Sequence, residues 1–214
     1  MKRALPLLLL ALAARPVPLA AQLPRYLGLD VGLSRLQFQS SSPSGGEKLS
    51  GFAALGHWRI VLRPVSLDLS YAQGRLAADT GSAVARSFVE GAVFLTARPA
   101  PWLVLKAGPH VRAYAAPGGT ERWILWEGRA HADAPLLDGE WLAYGELWVS
   151  VASSVNVVPG ASGARGAEVG LTLKLPQSPV WGRLAYAVDQ ANLKTGARTE
   201  SLQSVVLTAG FGGR

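Results

Sequence analysis

The chain has no cysteine, which excludes a disulfide scaffold, a thiolate zinc or iron–sulfur site and a cysteine nucleophile. Charged residues are also scarce, at 16% of 214 residues, below the roughly 25% that is usual in soluble domains. The mean hydropathy of +0.21 excludes a disordered chain, which is polar and rich in charge. Beyond the N-terminal region no segment has the ~18 uninterrupted apolar residues of a spanning helix, which excludes a polytopic helical membrane protein.

Motifs of several common sites are missing as well. The sequence contains no Gly-x-Ser-x-Gly nucleophile motif and no His-x-x-x-His pair. It also has no EF-hand loop and no glycine-rich phosphate motif between a strand and a helix. The sequence therefore predicts no cofactor and no metal site.

The N-terminal segment has the composition of an export signal. A basic start, Met1-Lys2-Arg3, precedes an apolar run over residues 4–14, which is too short to span a bilayer. A proline-containing break comes next, and then the small residues around Ala21. This order is typical of a cleaved secretory signal peptide, so we predict a signal peptide at 1–21 and one domain at 22–214.

Removal of the predicted signal peptide lowers the formal charge from +7 to +4, because it contains Lys2, Arg3 and Arg15 and no acidic residue. The remaining positive charges are spread along the chain. Nucleic-acid binding needs Lys and Arg clustered on one face, so no nucleic-acid partner is predicted.

Apolar and polar residues alternate with a period of two from Gln22 to the C-terminus. Leu27, Leu29, Val31 and Leu33, for example, alternate with Gly, Asp, Gly and Ser. Strict alternation indicates strands with one apolar and one polar face. Most of these strands are long enough to cross a bilayer, which takes about 9–11 tilted residues. The predicted strands are 25–38, 49–62, 65–76, 84–97, 102–114, 122–132, 140–153, 167–175, 180–191 and 202–212.

Two kinds of connection alternate along the chain. Short or proline-marked turns lie at 63–64, 98–101, 134–139 and 176–179, and they define what we call the short-turn rim. Segments rich in Gly, Ser and Asn define the loop rim and lie at 40–48, 77–83, 115–121, 154–166 and 192–201. This pattern predicts an all-β fold, an antiparallel up-and-down transmembrane β-barrel of about ten strands, with eight or twelve as alternatives.

Charged residues within a strand fall repeatedly on the same face, opposite the apolar face. We predict that they point into the barrel, where charges of both signs neutralise one another and plug the lumen. Small inward residues such as Gly32, Gly108 and Gly170 leave a narrow pore as the alternative. The predicted lumen network contains Asp30, Arg59, Asp68, Glu90, Lys106, Arg112, Glu127, Arg129, Glu146, Glu168, Lys174, Arg183 and Asp189.

The outer surface carries two further predicted features. Arg35, Arg75 and Arg122 lie at the loop-side ends of their strands, where arginine can pair with lipopolysaccharide phosphate, with strand fraying into a solvated loop as the alternative. Aromatic residues near the short-turn rim predict an interfacial girdle, since amphipathic rings favour the membrane interface. The predicted girdle consists of Tyr26, Trp58, Trp102, Trp141, Trp181 and Phe211.

With these features the chain resembles the small bacterial outer-membrane β-barrel proteins, by architecture over nearly all of 22–214. Members of this class usually end on an aromatic residue, whereas Gly212-Gly213-Arg214 comes after Phe211 here. The resemblance implies an outer-membrane location, contact with membrane lipid and lipopolysaccharide, and insertion by the barrel assembly machinery. It implies no oligomeric state.

Four functions are consistent with the sequence. The favoured one is a structural or binding role with a plugged lumen, and the second is a narrow pore for small solutes. An outer-membrane hydrolase is less favoured: His131 and Asp133 share a strand face and can form a hydrogen bond, but they lie toward the short-turn rim. The fourth is a soluble periplasmic barrel whose apolar faces point inward. We predict that the protein is not an enzyme.

Overall fold

The computed structural model describes residues 26–43, 45–79, 83–136, 140–157, 161–193 and 198–212, so the predicted signal peptide lies outside the described residues. The strands form a closed barrel in which each one pairs antiparallel with its neighbours in sequence, and β1 pairs with β10. The strands are β1 Tyr26–Ser42, β2 Gly45–Leu62, β3 Val65–Ala78, β4 Arg86–Ala100, β5 Leu103–Ala116, β6 Gly119–Leu136, β7 Trp141–Val155, β8 Ala161–Lys174, β9 Val180–Leu193 and β10 Thr199–Phe211.

The predicted fold class, strand number and up-and-down topology are confirmed. In the described residues no helix is long and apolar enough to cross a membrane. Four predicted loops are too long. The loops 40–48 and 115–121 pair as strands up to tight turns between Ser42 and Gly45 and between Ala116 and Gly119. The loops 154–166 and 192–201 are shortened because β8 begins at Ala161 and β10 at Thr199. Backbone pairing needs no apolar side chain, and Gly45 (φ 135°) and Gly119 (φ 143°) adopt turn conformations that other residues rarely reach.

The alternating faces are arranged as predicted along most of the barrel. Large apolar side chains point outward and are exposed, such as Leu33 at 62%, Leu147 at 65% and Val151 at 79%. Acidic side chains on the opposite faces, such as Asp68 and Glu127, are buried. The inward orientation of the apolar faces, which the soluble alternative requires, is therefore wrong. An outer surface this apolar is suited to lipid rather than to water.

Toward the loop rim the apolar face changes sides. On β1, Leu33 points outward, but Leu36 and Phe38 point inward and are buried, while Arg35 points outward. We call the band of exposed apolar side chains, such as Leu33, Leu147 and Val151, the apolar belt. On the loop side of this belt the barrel continues as a segment with a polar outside and an apolar inside. We call the buried side chains of this segment the apolar layer: Leu36, Phe38, Leu49, Leu76, Phe88, Tyr114, Trp123, Leu125, Leu193 and Leu202.

Candidate functional site: the barrel interior

The interior below the apolar layer is filled with ion pairs, the first of which joins neighbouring strands. Arg59 and Asp68 face each other across β2 and β3. Arg59 donates from Nε to Oδ1 at 2.7 Å and from Nη2 to Oδ2 at 2.8 Å. Thr96 on β4 donates a third hydrogen bond to the same carboxylate at 3.1 Å. A two-point guanidinium–carboxylate contact fixes orientation as well as charge.

A second set of ion pairs crosses the interior. Arg112 on β5 donates to Glu90 on β4 at 2.5 Å and to Asp189 on β9 at 3.1 Å. Trp148 on β7 donates its indole N–H to the other oxygen of Asp189 at 2.8 Å. One buried guanidinium thereby ties β5 to both β4 and β9, which leaves little open space at this level.

Arg129 and Lys106 complete the network toward the short-turn rim. Arg129 donates to Glu127 Oε2 at 2.9 and 2.7 Å and to Glu146 Oε1 at 3.1 Å. Lys106 Nζ lies 2.5 Å from the other oxygen of Glu146. The Arg129 guanidinium also lies over the rings of Phe94 and Trp148, at 4.6 and 4.9 Å from their centroids.

Each of the three histidines contacts a carboxylate. His57 Nδ1 lies 2.9 Å from Asp30, and His110 Nδ1 lies 2.8 Å from Glu127. The predicted pair is present, with His131 Nε2 at 3.0 Å from Asp133 Oδ1. Among the described residues, no three His, Asp or Glu side chains are arranged to hold a metal ion.

The remaining predicted lumen residues differ in their surroundings. Glu168 accepts a hydrogen bond from the Tyr144 hydroxyl at 2.6 Å, and Arg183 Nε donates to Thr208 at 3.2 Å. Lys174 does not belong to the interior, because it is exposed at the last residue of β8, where the strand leaves the barrel wall. The odd or even position of a residue in its strand, which we call its parity, shows which face it lies on. Parity alone did not distinguish a buried position from one at the rim.

The predicted aromatic girdle needs one correction. Trp58, Trp102 and Phe211 are exposed on the outer surface, Trp141 is partly exposed, and the Tyr26 side chain lies outside the described residues. Trp181, by contrast, is buried and lines the interior. It is two residues from the inward Arg183, and residues two apart in a strand share a face, so proximity to the rim was a misleading criterion.

Three inward aromatic side chains share one arrangement, and the inward positions of two of them, Trp148 and Trp181, were missed. Each lies over the glycine directly opposite on the adjacent strand, where a Cβ atom would come within 2.7 Å of the ring side chain. The same parity that places charges inside also places these rings inside. Together they fill space that the narrow-pore hypothesis assigned to water, Gly170 included. The pairs are Tyr144 with Gly170, Trp148 with Gly166, and Trp181 with Gly210.

A cavity of about 260 Å³ remains within the barrel. It reaches Arg98 and Asp133 near the short-turn rim and extends toward Leu36, Phe88 and Leu202 of the apolar layer. Most of its charged lining residues already have partners of opposite charge. The cavity therefore has ion-paired walls and an apolar end on the loop side.

A separate group of charges lies on the loop side of the apolar layer, and we call it the outer cluster. Arg86 contacts Glu47 at 2.6 Å, and Arg198 donates to Glu121 at 2.8 Å and also contacts Glu200. The outward residues of β10 beside Glu200 are polar, so Glu200 lies outside the membrane-spanning segment. Burial and the neighbouring Glu121 carboxylate raise the pKa of Glu200 to about 8.

The three arginines predicted to contact lipopolysaccharide are all exposed on the outer surface. Arg35 and Arg75 flank Phe52 in one row, because Phe52 pairs with Arg35 on β1 and with Arg75 on β3. Two strand spacings place their backbones about 10 Å apart. Arg122 occupies a corresponding outward position on β6, where the outer surface changes from apolar to polar.

No family model and no curated protein matches the chain at the sequence level. Solved structures do match. The outer membrane protease OmpT from Escherichia coli aligns with a TM-score of 0.54 at 9% identity, over 90% of this chain and 97% of that chain. The translocator domain of the autotransporter NalP from Neisseria meningitidis aligns with a TM-score of 0.52 at 11% identity, over 87% and 88%. The chain thus has the fold of the small outer-membrane β-barrels.

Proposed function

We propose that this protein is an integral outer-membrane β-barrel with a sealed interior and a structural or binding role, its loop rim facing outward. One observation supports the proposal: the side chains of the apolar layer form one packed cluster on the loop side of the ion-paired lumen. Phe38, Tyr114 and Trp123 within that layer are at most 2% exposed. The rings of Phe38 and Tyr114 pack 4.9 Å apart across the interior.

This arrangement favours a plug over the narrow-pore alternative. A hydrated ion that crossed the barrel would lose water contacts in the apolar layer, and hydrophobic constrictions block conduction by excluding water. Below that layer, the ion would also have to displace buried ion pairs such as Arg112 with Asp189. We also propose that His131 is structural and not catalytic, because Asp133 and Glu146 contact both of its ring nitrogens.

Planar-bilayer recording tests the sealed interior. The purified protein is expected to give no unitary conductance steps, whereas combined Phe38→Ala and Trp123→Ala substitutions are expected to produce them. Trp126→Ala is the matched control, since Trp126 lies on the same strand as Trp123 but points outward and is 54% exposed. Unitary steps of the unchanged protein that survive repurification would contradict the proposal.

The location rests on the outward apolar belt and on the fold. We propose export by the predicted signal peptide at 1–21 and insertion by the barrel assembly machinery. A closed membrane barrel migrates differently on SDS gels with and without boiling, so a mobility shift of protein from the outer-membrane fraction is expected. A freely soluble periplasmic protein without such a shift would contradict the proposed location.

We propose lipopolysaccharide as the lipid partner of the outer arginines. Arg35, Arg75 and Arg122 lie at the edge of the apolar belt, where lipid phosphate is expected, and guanidinium binds phosphate in a two-point geometry. Replacement of all three by Gln is expected to abolish any stabilisation that added lipopolysaccharide gives to detergent-solubilised protein. Arg63→Gln, at the exposed turn of the opposite rim, is the control. Equal stabilisation of the triple variant and the unchanged protein would exclude this site.

A further inference from the structure

His110 is a buried histidine that lies between two carboxylates from different strands. It is 1% exposed. Its Nδ1 lies 2.8 Å from Glu127 Oε1 on β6, and its Nε2 lies 3.5 Å from Glu90 Oε2 on β4. The Nδ1 contact is a hydrogen bond, and the Nε2 contact is an ion-pair distance without a hydrogen bond, so both ring nitrogens face a negative charge.

His131 has the same arrangement closer to the short-turn rim. Its Nε2 lies 3.0 Å from Asp133 Oδ1 on its own strand, and its Nδ1 lies 3.3 Å from Glu146 Oε2 on β7. The ring also stacks on Tyr144 at a centroid distance of 5.0 Å, which holds its orientation.

A neutral imidazole has one N–H donor and one lone pair, and a lone pair that faces a carboxylate is repelled by it. Only the imidazolium form donates at both nitrogens. We propose that the barrel interior binds protons at His110 and His131 at neutral pH, and that these imidazolium ions lock β4, β5, β6 and β7 together.

The balance of interior charge supports the same assignment. Eight interior carboxylates face six interior cations, if Arg98, which lines the same cavity as Asp133, is counted, so two further positive charges are needed for neutrality. His110 and His131 are the two histidines with both ring nitrogens within 3.5 Å of carboxylates, whereas His57 is 26% exposed and has only one nitrogen within 3 Å of a carboxylate. The carboxylates are Asp30, Asp68, Glu90, Glu127, Asp133, Glu146, Glu168 and Asp189; the cations are Arg59, Arg98, Lys106, Arg112, Arg129 and Arg183.

The cations near each histidine determine how far the loss of its proton can be compensated. Arg112 contacts Glu90, and Arg129 contacts both Glu127 and Glu146. Lys106 also contacts Glu146. Because these cations are shared among the carboxylates of the network, loss of the histidine protons leaves buried negative charge without full compensation. Stability contributed by a proton held in the folded state is present at low pH and is lost as pH rises.

Imidazole NMR signals of the barrel in detergent micelles, recorded from pH 5 to 10, test the proton sites directly. The His110 and His131 signals are expected to remain at imidazolium positions at pH 7.5, whereas unfolded chain in denaturant titrates near pH 6.5. His110→Gln and His131→Gln assign the two signals. Neutral imidazole signals for both residues at pH 7.5 would overturn the proposal.

The unfolding temperature tests whether the imidazolium ions hold the strands together. It is the temperature at which heated samples change from the gel mobility of the unboiled protein to that of the boiled protein. Between pH 6.5 and 9.5 the midpoint of the unchanged protein is expected to fall by at least about 3 °C. The fall should be smaller in His110→Gln and His131→Gln and retained in His57→Gln. A pH-independent midpoint over this range would show that the protons do not lock the strands, even if the imidazolium signals are present.

Discussion

Arg112 on β5 crosses the barrel interior and donates a hydrogen bond from Nη2 to Asp189 Oδ2 on β9, at 3.1 Å. The same guanidinium holds Glu90 on the adjacent β4 through Nε at 2.5 Å. Strands β5 and β9 are separated by three others in the barrel. The contact therefore links two opposite walls of the barrel, which are not joined to each other by backbone hydrogen bonds.

Arg112→Met is expected to destabilise the barrel strongly, because it leaves Glu90 and Asp189 buried without their shared cation. Removal of one partner from a buried ion pair costs about 3–5 kcal/mol. Urea unfolding, monitored by the gel mobility difference, measures the loss. Lys174→Met removes an exposed charge and should change stability by less than about 0.5 kcal/mol. Equal urea midpoints for Arg112→Met and the unchanged protein would show that this link is unimportant.

Parity in the sequence was sufficient to place Arg112 and Asp189 inside the barrel, because side chains two residues apart share a strand face. It could not identify them as partners. Contacts across the interior depend on barrel closure and on the stagger between strands, and neither is encoded in the period of one strand. Trp181 shows the complementary error, since its distance from the rim was given more weight than its parity with Arg183.

The apolar layer was missed for a different reason. The change of face between Leu33 and Leu36 is visible in the sequence, where Arg35 and two glutamines take over the outward positions of β1. A strand that crosses from lipid into water should reverse its apolar face in this way, since water then covers the outside. Arg35 was interpreted as a headgroup-level residue at the loop-side end of a strand that extended to residue 38, so the inward turn of Leu36 and Phe38 was not recognised.

Lipid access to individual tryptophans tests the inward placement of Trp181. In variants that retain one tryptophan and have phenylalanine at the other positions, brominated lipid is expected to quench Trp126, which is 54% exposed on the outer surface. Trp181 and Trp148, both 7% exposed, should be quenched far less, because the barrel wall separates them from lipid. Quenching of Trp181 as strong as that of Trp126 would place its ring outside.

The pairing of inward rings with opposite glycines predicts that Gly166→Ala is disruptive. A Cβ at Gly166 would lie 2.4 Å from the Trp148 ring and 2.5 Å from the Val188 carbonyl oxygen. The ring would have to move and would lose its 2.8 Å hydrogen bond to Asp189. A loss of about 1–3 kcal/mol is expected, as for overpacking in other interiors.

Gly128→Ala is the matched control for this substitution. Gly128 lies within β6, and a Cβ there meets no atom within 4 Å. Unfolding in urea should be unchanged or slightly delayed, because alanine reduces the conformational entropy of the unfolded chain. If the two alanine variants unfold at the same urea concentration, the ring–glycine pairs do not contribute to stability.

Glu200→Gln in the outer cluster is expected to stabilise the protein at alkaline pH. Because burial and Glu121 raise the pKa of Glu200 to about 8, the folded state retains a proton that the unfolded chain releases near its ordinary value of 4.5. The stability of the unchanged protein therefore falls as pH rises between these two values, and the full penalty applies above about pH 8. A glutamine is neutral in both states and removes this penalty.

The unfolding temperature of the variant should exceed that of the unchanged protein at pH 9, and the difference should shrink toward pH 4.5. A constant difference across this range would mean that Glu200 does not take up a proton in the folded barrel.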